Sequence, residues 1–275
     1  MARRAADAGP EIPRLRRVKP VGGILAIMAL LAAAGPAVAD AWTQPKGKGQ
    51  IILKFEDMRA DRGFDMDGLL ADLPDARRDF VAGVFAEYGV TDRLTLRFKG
   101  EWQSGEDAFV DYEGRGPLEI GVNWQVWRDD RTALSLYAGY ADGGEGRNAG
   151  YASPGVGDSD WEVRASAGRS FGGFGRWGPT GSFVELQAAR RMRQGLPDET
   201  RVDATAGAHL GENWMVLAQA FGGQADDGGP RWLSLEASVV RDFGDWSVQA
   251  GWRQAVAGRE TPESGGPMIA LWRRF

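Results

Sequence analysis

The sequence LTLRFKGEWQ at positions 94–103 alternates between apolar and polar side chains. Leu94, Leu96 and Phe98 are apolar, whereas the residues between them are polar or charged. Because successive side chains of a β-strand point to opposite faces, this period of two predicts a strand with one apolar and one charged face. A charged face does not suit a dry protein core. It suits the inside of a barrel whose apolar outer face meets lipid.

The same alternation recurs through the rest of the chain. We expect strands near residues 48–58, 78–90, 94–104, 117–128, 132–142, 160–171, 182–193, 200–210, 214–222, 231–242, 246–257 and 267–275. The connections alternate between short turns, such as 91–93, and longer loops rich in glycine and acidic residues, such as 143–159. This alternation is typical of outer-membrane barrels. The sequence therefore predicts one all-β domain over residues 40–275, an antiparallel transmembrane β-barrel of about twelve strands (about 10 to 14), with both termini in the periplasm.

The chain ends in a short strand-like run, Pro267 to Phe275, whose last residue is aromatic. This carboxy-terminus resembles the closing strand of bacterial outer-membrane β-barrel proteins, in which a terminal Phe is read by the barrel-insertion machinery. Arg273 departs from that pattern, because these proteins usually carry an aromatic or apolar residue two places before the Phe. The resemblance implies a barrel in the outer membrane of a Gram-negative bacterium, with Phe275 as its assembly signal. Its implied partners are the insertion machinery, outer-membrane lipid and lipopolysaccharide.

Residues 1–39 have the organisation of a cleaved secretory signal peptide. Basic side chains precede an apolar run from Val21 to Ala34, and the small residues Ala37-Val38-Ala39 follow a Gly-Pro pair. The apolar run is shorter than the roughly 20 residues that a membrane-spanning helix needs. We therefore expect cleavage after Ala39 and export of residues 40–275.

Composition excludes several classes of function. Removal of residues 1–39 takes away six basic and two acidic side chains, so the formal net charge moves from -5 to -9. An acidic chain is a poor partner for nucleic acid, and none is expected. The chain has no cysteine, so neither disulfide nor thiolate chemistry can occur. The 11 tryptophans and 40 glycines instead suit a barrel with aromatic side chains at the membrane interfaces.

The polar faces of the predicted strands identify candidate lumen-lining residues. They are Arg97, Lys99, Glu101, Glu119, Glu162, Arg164, Glu185, Asp203, His209, Glu236 and Arg253. The set mixes both signs of charge, and opposite charges on neighbouring strands can neutralise one another. The pattern is compatible with a narrow polar pore of weak ion preference and equally with a closed interior held by ion pairs.

His209 is the only histidine, and it shares the predicted inner face with Asp203 and Thr205. Outer-membrane phospholipases and lipid A deacylases use a His with a Ser, but no Ser pairs with His209 in a recognisable spacing. We expect a structural lumen histidine, no catalytic residue and no enzymatic activity.

One His and no Cys leave only carboxylates as metal ligands, and the acidic loops have no metal-binding pattern. No glycine-rich segment opens a helix that could hold a phosphate, so neither a metal nor a cofactor is expected.

Arg190, Arg191 and Arg193 end one strand at the predicted outer rim. Clustered guanidinium groups bind phosphate well, so one interpretation is contact with the phosphates of lipopolysaccharide. The other interpretation is a solvated run of charge.

The loop at 59–77 is too apolar to be purely solvated. Its apolar residues are Phe64, Met66, Leu69, Leu70 and Leu73. We expect this loop to fold inward as a constriction or plug of the lumen.

Two segments suggest a narrower family. Residues 41–50 (AWTQPKGKGQ) open the exported chain, and residues 87–96 (EYGVTDRLTL) form the first predicted hairpin. Both resemble envelope proteins of the XagA type, which are linked with surface polysaccharide and biofilm systems. The resemblance implies an exopolysaccharide system as a partner, and it transfers no functional residue.

The sequence thus predicts a non-enzymatic outer-membrane channel or transport component for small polar solutes. The alternative is a closed-lumen structural or accessory protein of surface polysaccharide or biofilm export.

Overall fold

The computed structural model describes residues 40–108, 111–144, 156–173 and 178–275. None of these residues form a helix long and apolar enough to cross a membrane. The strands are β1 (Gly49–Phe64), β2 (Leu70–Thr91), β3 (Leu94–Glu106), β4 (Asp111–Arg128), β5 (Thr132–Asp142), β6 (Ser159–Gly172), β7 (Gly181–Arg193), β8 (Glu199–Leu210), β9 (Trp214–Ala225), β10 (Arg231–Phe243), β11 (Trp246–Arg259), β12 (Thr261–Pro262) and β13 (Gly265–Arg274).

The strands form one closed antiparallel barrel. From β1 to β11 each strand pairs with its neighbours along the chain, and β13 pairs with both β11 and β1. β12 has two residues and only extends the pairing beside the end of β1, so twelve long strands make the wall. The predicted antiparallel barrel of about twelve strands is confirmed. Strand positions agree with the predicted runs to within a few residues, except beside the predicted loop 59–77 and at the start of β4, which begins at Asp111 and not near residue 117.

The alternation of side chains divides each strand between the two faces of the wall. In β3, Leu96, Phe98 and Trp102 are exposed on the outer face, and Thr95 and Arg97 are buried on the inner face. The outer faces of the other strands are likewise rich in exposed Leu, Val, Ile and Trp. A continuous apolar surface of this kind is unusual in water and suits contact with lipid.

The two ends of the barrel differ. At one end, here called the terminal end, short turns join the strands except between β6 and β7, β1 begins and β13 ends. Gly211 and Gly244, in two of these turns, have positive φ angles of 70° that favour glycine. At the other end, here called the loop end, the connections are longer, as in the segment between β5 and β6. That the terminal end lies in the periplasm remains a prediction.

The expectation that residues 59–77 form an inward loop is wrong. β1 continues to Phe64 and β2 begins at Leu70, so most of the segment is a β-hairpin. The pairing jumps between Ala60 and Arg62, which leaves residues 73–76 of β2 without partners in the ladder. This bulge hides the period of two in the sequence, because residues beyond it change face.

The tip of this hairpin is a compact turn directed into solvent. The Asp65 carboxylate accepts the backbone N–H groups of Asp67 and Leu69 at 2.9 Å each. Gly68 has a φ of 78°, which an L side chain rarely adopts. Met66 and Leu69 are 75% and 65% exposed, so they do not pack against the inside of the wall.

Candidate functional site: the barrel lumen

The residues predicted to line the lumen lie on the inner face of the wall. In each strand they share the phase of the buried residues, as Glu162 and Arg164 do in β6 and Glu236 does in β10. The same holds for Arg97, Lys99, Glu101, Glu119, Glu185, Asp203, His209 and Arg253. Contact of these residues with a permeating solute remains a prediction.

His209 lies half-buried beside the terminal end of β8. Its backbone carbonyl accepts the N–H of Thr180 at 2.8 Å. Within the described residues, its imidazole donates no hydrogen bond to a serine. Nor do any three His, Asp or Glu side chains in the described part of the chain cluster closely enough to hold a metal ion.

The terminal half of the lumen is occupied by residues 40–44, here called the inner segment. Its backbone is held by side chains of the wall: the carbonyl of Asp40 accepts hydrogen bonds from Asn123 and Ser135, each at 2.7 Å. The N–H of Gln44 donates to Thr95 Oγ1 at 2.9 Å. The sequence identifies this segment as the start of the exported chain and as part of the XagA-type resemblance, and it predicts no role in the lumen. Its one sequence signal is a lack of alternation just before a strongly alternating strand.

The Asp40 carboxylate bridges two arginines of the wall. One oxygen pairs with Arg97 of β3 and the other with Arg164 of β6. Arg97 also donates to Glu87 at 2.6 and 2.7 Å, and Arg164 also pairs with Glu162. Burial by itself raises the pKa of the Asp40 carboxyl, but the two guanidinium groups outweigh it, so this pKa lies below its ordinary value. The segment is therefore anchored by charge-assisted hydrogen bonds.

Trp42 fills the space beside these ion pairs. A Cβ atom at Gly168 of β6 would overlap its ring, so this glycine makes room for the indole. Trp42 stands edge-on to Phe183, with ring centroids 6.3 Å apart. It packs against a buried apolar cluster on the inner face, which sequence reasoning did not predict: Ile52, Phe183, Met215, Leu217, Val240, Ala270 and Trp272.

Burial extends around the whole circumference at this level. Every long strand contributes an inward residue that is at most 8% exposed: Ile52, Glu87, Thr95, Asn123, Ser135, Ser166, Phe183, Thr205, Leu217, Ser238, Gln249 and Trp272. A passage wide enough for water would expose such side chains. The described residues therefore close the terminal half of the lumen.

The middle of the lumen is wetter. The Lys99 side chain is 49% exposed although it points inward, and it pairs with Glu101 at 2.6 Å. Lys54 is partly exposed and pairs with Glu56 at 2.9 Å. We call this region the central chamber. It can hold water and presents charges of both signs.

The arginines predicted to contact lipopolysaccharide do not form one outward cluster. Arg191 and Arg193 are buried on the inner face, where Arg191 pairs with Glu162 at 2.6 Å and Arg193 with Glu199 at 3.1 Å. The grouping of all three is wrong, because residues adjacent in a strand point to opposite faces. Only Arg190 remains on the outer face.

Arg190 is itself held by polar partners at the loop end, and it forms ion pairs with Asp198 and Asp226. It donates to Thr200 at 3.0 Å and to Asp226 at 2.8 Å. The hydrogen bond from Arg190 lowers the pKa of the Asp226 carboxyl. Lipopolysaccharide phosphate would therefore have to displace an existing partner of this arginine.

The closed barrel is similar to solved outer-membrane channels. An outer membrane channel from Pseudomonas putida F1 superimposes with a TM-score of 0.66 at 13% identity, covering 88% of this chain and 100% of that one. The KdgM porin gives a TM-score of 0.52 at 5% identity, covering 82% and 99%. The NanC porin gives 0.52 at 8% identity, covering 80% and 98%.

No protein-family model and no curated protein sequence matches the chain. The XagA-type resemblance therefore remains a prediction. At these identities the structural likeness establishes a shared fold, that of the twelve-stranded barrels found in bacterial outer-membrane channels.

Proposed function

We propose that this protein is an outer-membrane channel for small polar solutes, described here with its terminal half closed. The observation that carries the proposal is the central chamber: Lys54 and Lys99 point inward and yet are exposed to water. Water inside a closed transmembrane barrel is what a solute pathway requires. The outer-membrane channels that share the fold support the same conclusion.

The proposal includes the setting of the protein. The barrel resides in the outer membrane of a Gram-negative bacterium, it is inserted by the barrel-insertion machinery, and it acts without enzymatic chemistry. Its apolar outer face contacts lipid. Arg190, the outward-facing member of the rim arginines, is the candidate contact for a lipopolysaccharide phosphate.

A second function is favoured by a specific observation. The buried ion pairs of the loop-end half, such as Arg191–Glu162 and Arg193–Glu199, resemble those of a permanently sealed interior. A barrel sealed in this way would act as a structural or accessory protein, for instance in surface polysaccharide or biofilm export.

Conductance in planar bilayers separates the two functions. A channel should show small, infrequent openings. Lys99→Glu should shift its reversal potential towards cations, because the substitution changes the charge of the chamber. Lys48→Glu makes the same charge change at an exposed position outside the lumen and should leave the reversal potential unchanged. A wild-type barrel that stays silent, and stays silent after removal of the inner segment, would favour the sealed scaffold.

A further inference from the structure

Glu185 is a buried carboxylate with an unusual set of partners. It is 3% exposed on the inner face of β7. One oxygen accepts the backbone N–H of Ala41 at 2.9 Å, and the backbone N–H of Asp40 also donates to this carboxylate. Gln187 donates to the other oxygen. Among the described residues, no Lys, Arg or His forms an ion pair with it.

A buried carboxylate without a cation is costly, because neutral donors replace only part of its hydration. Two neighbouring buried carboxylates have cations. Glu87, which accepts a hydrogen bond from Gln44, pairs with Arg97. Asp40 of the inner segment pairs with Arg97 and Arg164. Glu185 differs from them, because the Asp40 backbone nitrogen that donates to it is an uncharged amide.

Processing of the chain would create a cation at this position. The small-residue site Ala37-Val38-Ala39 directly precedes Asp40. Cleavage of the peptide bond after Ala39 adds water across it and leaves a free amino group on Asp40, which is protonated at neutral pH. The new ammonium group is the same nitrogen that donates to Glu185 in the uncleaved chain.

We propose that the lumen contains a binding site for an amino-terminal aspartate, occupied by the protein's own processed terminus. Glu185 binds the α-ammonium group of Asp40, and Arg97 and Arg164 bind its side-chain carboxylate. Trp42 then closes the terminal half of the lumen. The ligand class is a free α-amine with a neighbouring carboxylate, a form of amino-terminal capture.

The site selects for a processed terminus for two reasons. An amide nitrogen at residue 40 carries no charge, so an uncleaved or acetylated chain leaves Glu185 without its cation. The surroundings are also dry, since Ala41 is fully buried and Thr43 nearly so. Charge pairing is stronger in such surroundings than in water.

Protection of the α-amine tests the site independently of conductance. The mature protein, refolded or purified from membranes, is labelled at neutral pH with an amine-reactive reagent, and its amino-terminal peptide is analysed by mass spectrometry. The peptide should begin at Asp40. Its α-amine should react at least about tenfold more slowly in the folded barrel than in the heat-unfolded chain, a factor worth roughly 1.4 kcal/mol. Exposed Lys46 should react at the same rate in both states.

Glu185→Gln keeps the shape of the side chain and should abolish this protection. Glu236→Gln removes another lumen carboxylate three strands away and should preserve it. A mature terminus elsewhere than Asp40, equal labelling of folded and unfolded protein, or equal protection in the two variants would overturn the proposal.

A peptide added in trans tests the chemistry of the ligand. A refolded chain lacking residues 40–44 should conduct more than the wild type, and the peptide Asp-Ala-Trp-Thr-Gln should block it. The same peptide with an acetylated amine should not block. Equal block by both peptides would contradict a role for the ammonium group. If the shortened barrel never conducts while the α-amine of the mature protein that retains residues 40–44 is protected, the channel function is rejected and the binding site stands.

Discussion

Tyr137 of β5 lies across two glycines of the inner face and shows how single residues shape the lumen. Cβ atoms at Gly121 and Gly139 would both overlap its ring. The ring is thus laid flat, its hydroxyl donates to Glu119 at 2.6 Å, and Arg97 and Arg164 stack on it. An aromatic ring that covers strand glycines in this way restores packing that glycine alone cannot provide.

Gly139→Ala should therefore destabilise the barrel by about 1–3 kcal/mol, the usual cost of overpacking a filled interior. Gly172→Ala is the matched control, because a Cβ there meets no atom within 4 Å. Urea unfolding in detergent or lipid measures the difference. Equal stability of the two variants would mean that Tyr137 moves freely.

On the outer face, single residues must be apolar where they meet the middle of the membrane. Leu235 is exposed near the middle of β10, and Leu210 is exposed at the turn end of β8. Leu235→Arg should cost roughly 2–4 kcal/mol, whereas Leu210→Arg should cost about 0–1 kcal/mol, because the penalty for a cation falls from the midplane to the interface. Folding yield in liposomes checks the order. A reversed order would contradict the position assigned to the membrane.

At the scale of elements, the inner segment lies in the lumen, whereas the hairpin of β1 and β2, which the sequence predicted as a plug, does not. The hairpin is rich in apolar residues but ends in an exposed turn, because backbone pairing continues to Phe64 and Leu70. The inner segment has few apolar residues but is buried, because its backbone groups meet polar side chains of the wall.

Replacement of residues 65–69 by Asn-Gly tests whether the hairpin tip obstructs the lumen. Phe64 and Leu70 are register partners, so a two-residue turn can join them without disturbing the wall. We expect intact folding and unchanged conductance, in contrast to the rise expected when residues 40–44 are removed. A larger conductance after this replacement would show that the hairpin obstructs the lumen.

At the scale of the whole molecule, the seam that closes the barrel extends to Phe275. The N–H of Phe275 donates to the Gly49 carbonyl and the N–H of Gly49 to the Phe275 carbonyl, each at 3.0 Å. The Phe275 ring also lies against Gly49. These contacts complete the seam between β13 and β1, and a closed seam leaves no exposed strand edge in the membrane.

Deletion of Phe275 should lower the amount of folded barrel, because it removes both hydrogen bonds and the aromatic side chain that the sequence predicts as an assembly signal. Phe275→Tyr keeps the backbone and the ring and should fold as the wild type does. Heat-modifiable migration on a gel reports folded barrel in each case. Undiminished folded barrel after the deletion would show that the seam closes without this residue.

The amino-acid sequence by itself determined the strands, the barrel and the face on which each lumen residue lies. These properties follow from a period of two within each strand, which needs no knowledge of distant residues. The alternation failed where the pairing slips, at the bulge at 73–76 and in the first part of β4. The inward position of Arg191 and Arg193 was also open to that reasoning, since residues two apart in a strand share a face and Arg190, one residue away, takes the opposite face.

Only the tertiary structure decided what fills the barrel. The inner segment has no periodicity, and its partners lie far away in the sequence, from Thr95 for Gln44 to Glu185 for Ala41. Whether inward charges line open water or pair across the lumen depends on the inner diameter and on what else enters it. Closing twelve strands into one barrel sets both, and this is why Asp40 meets Arg97 and Arg164.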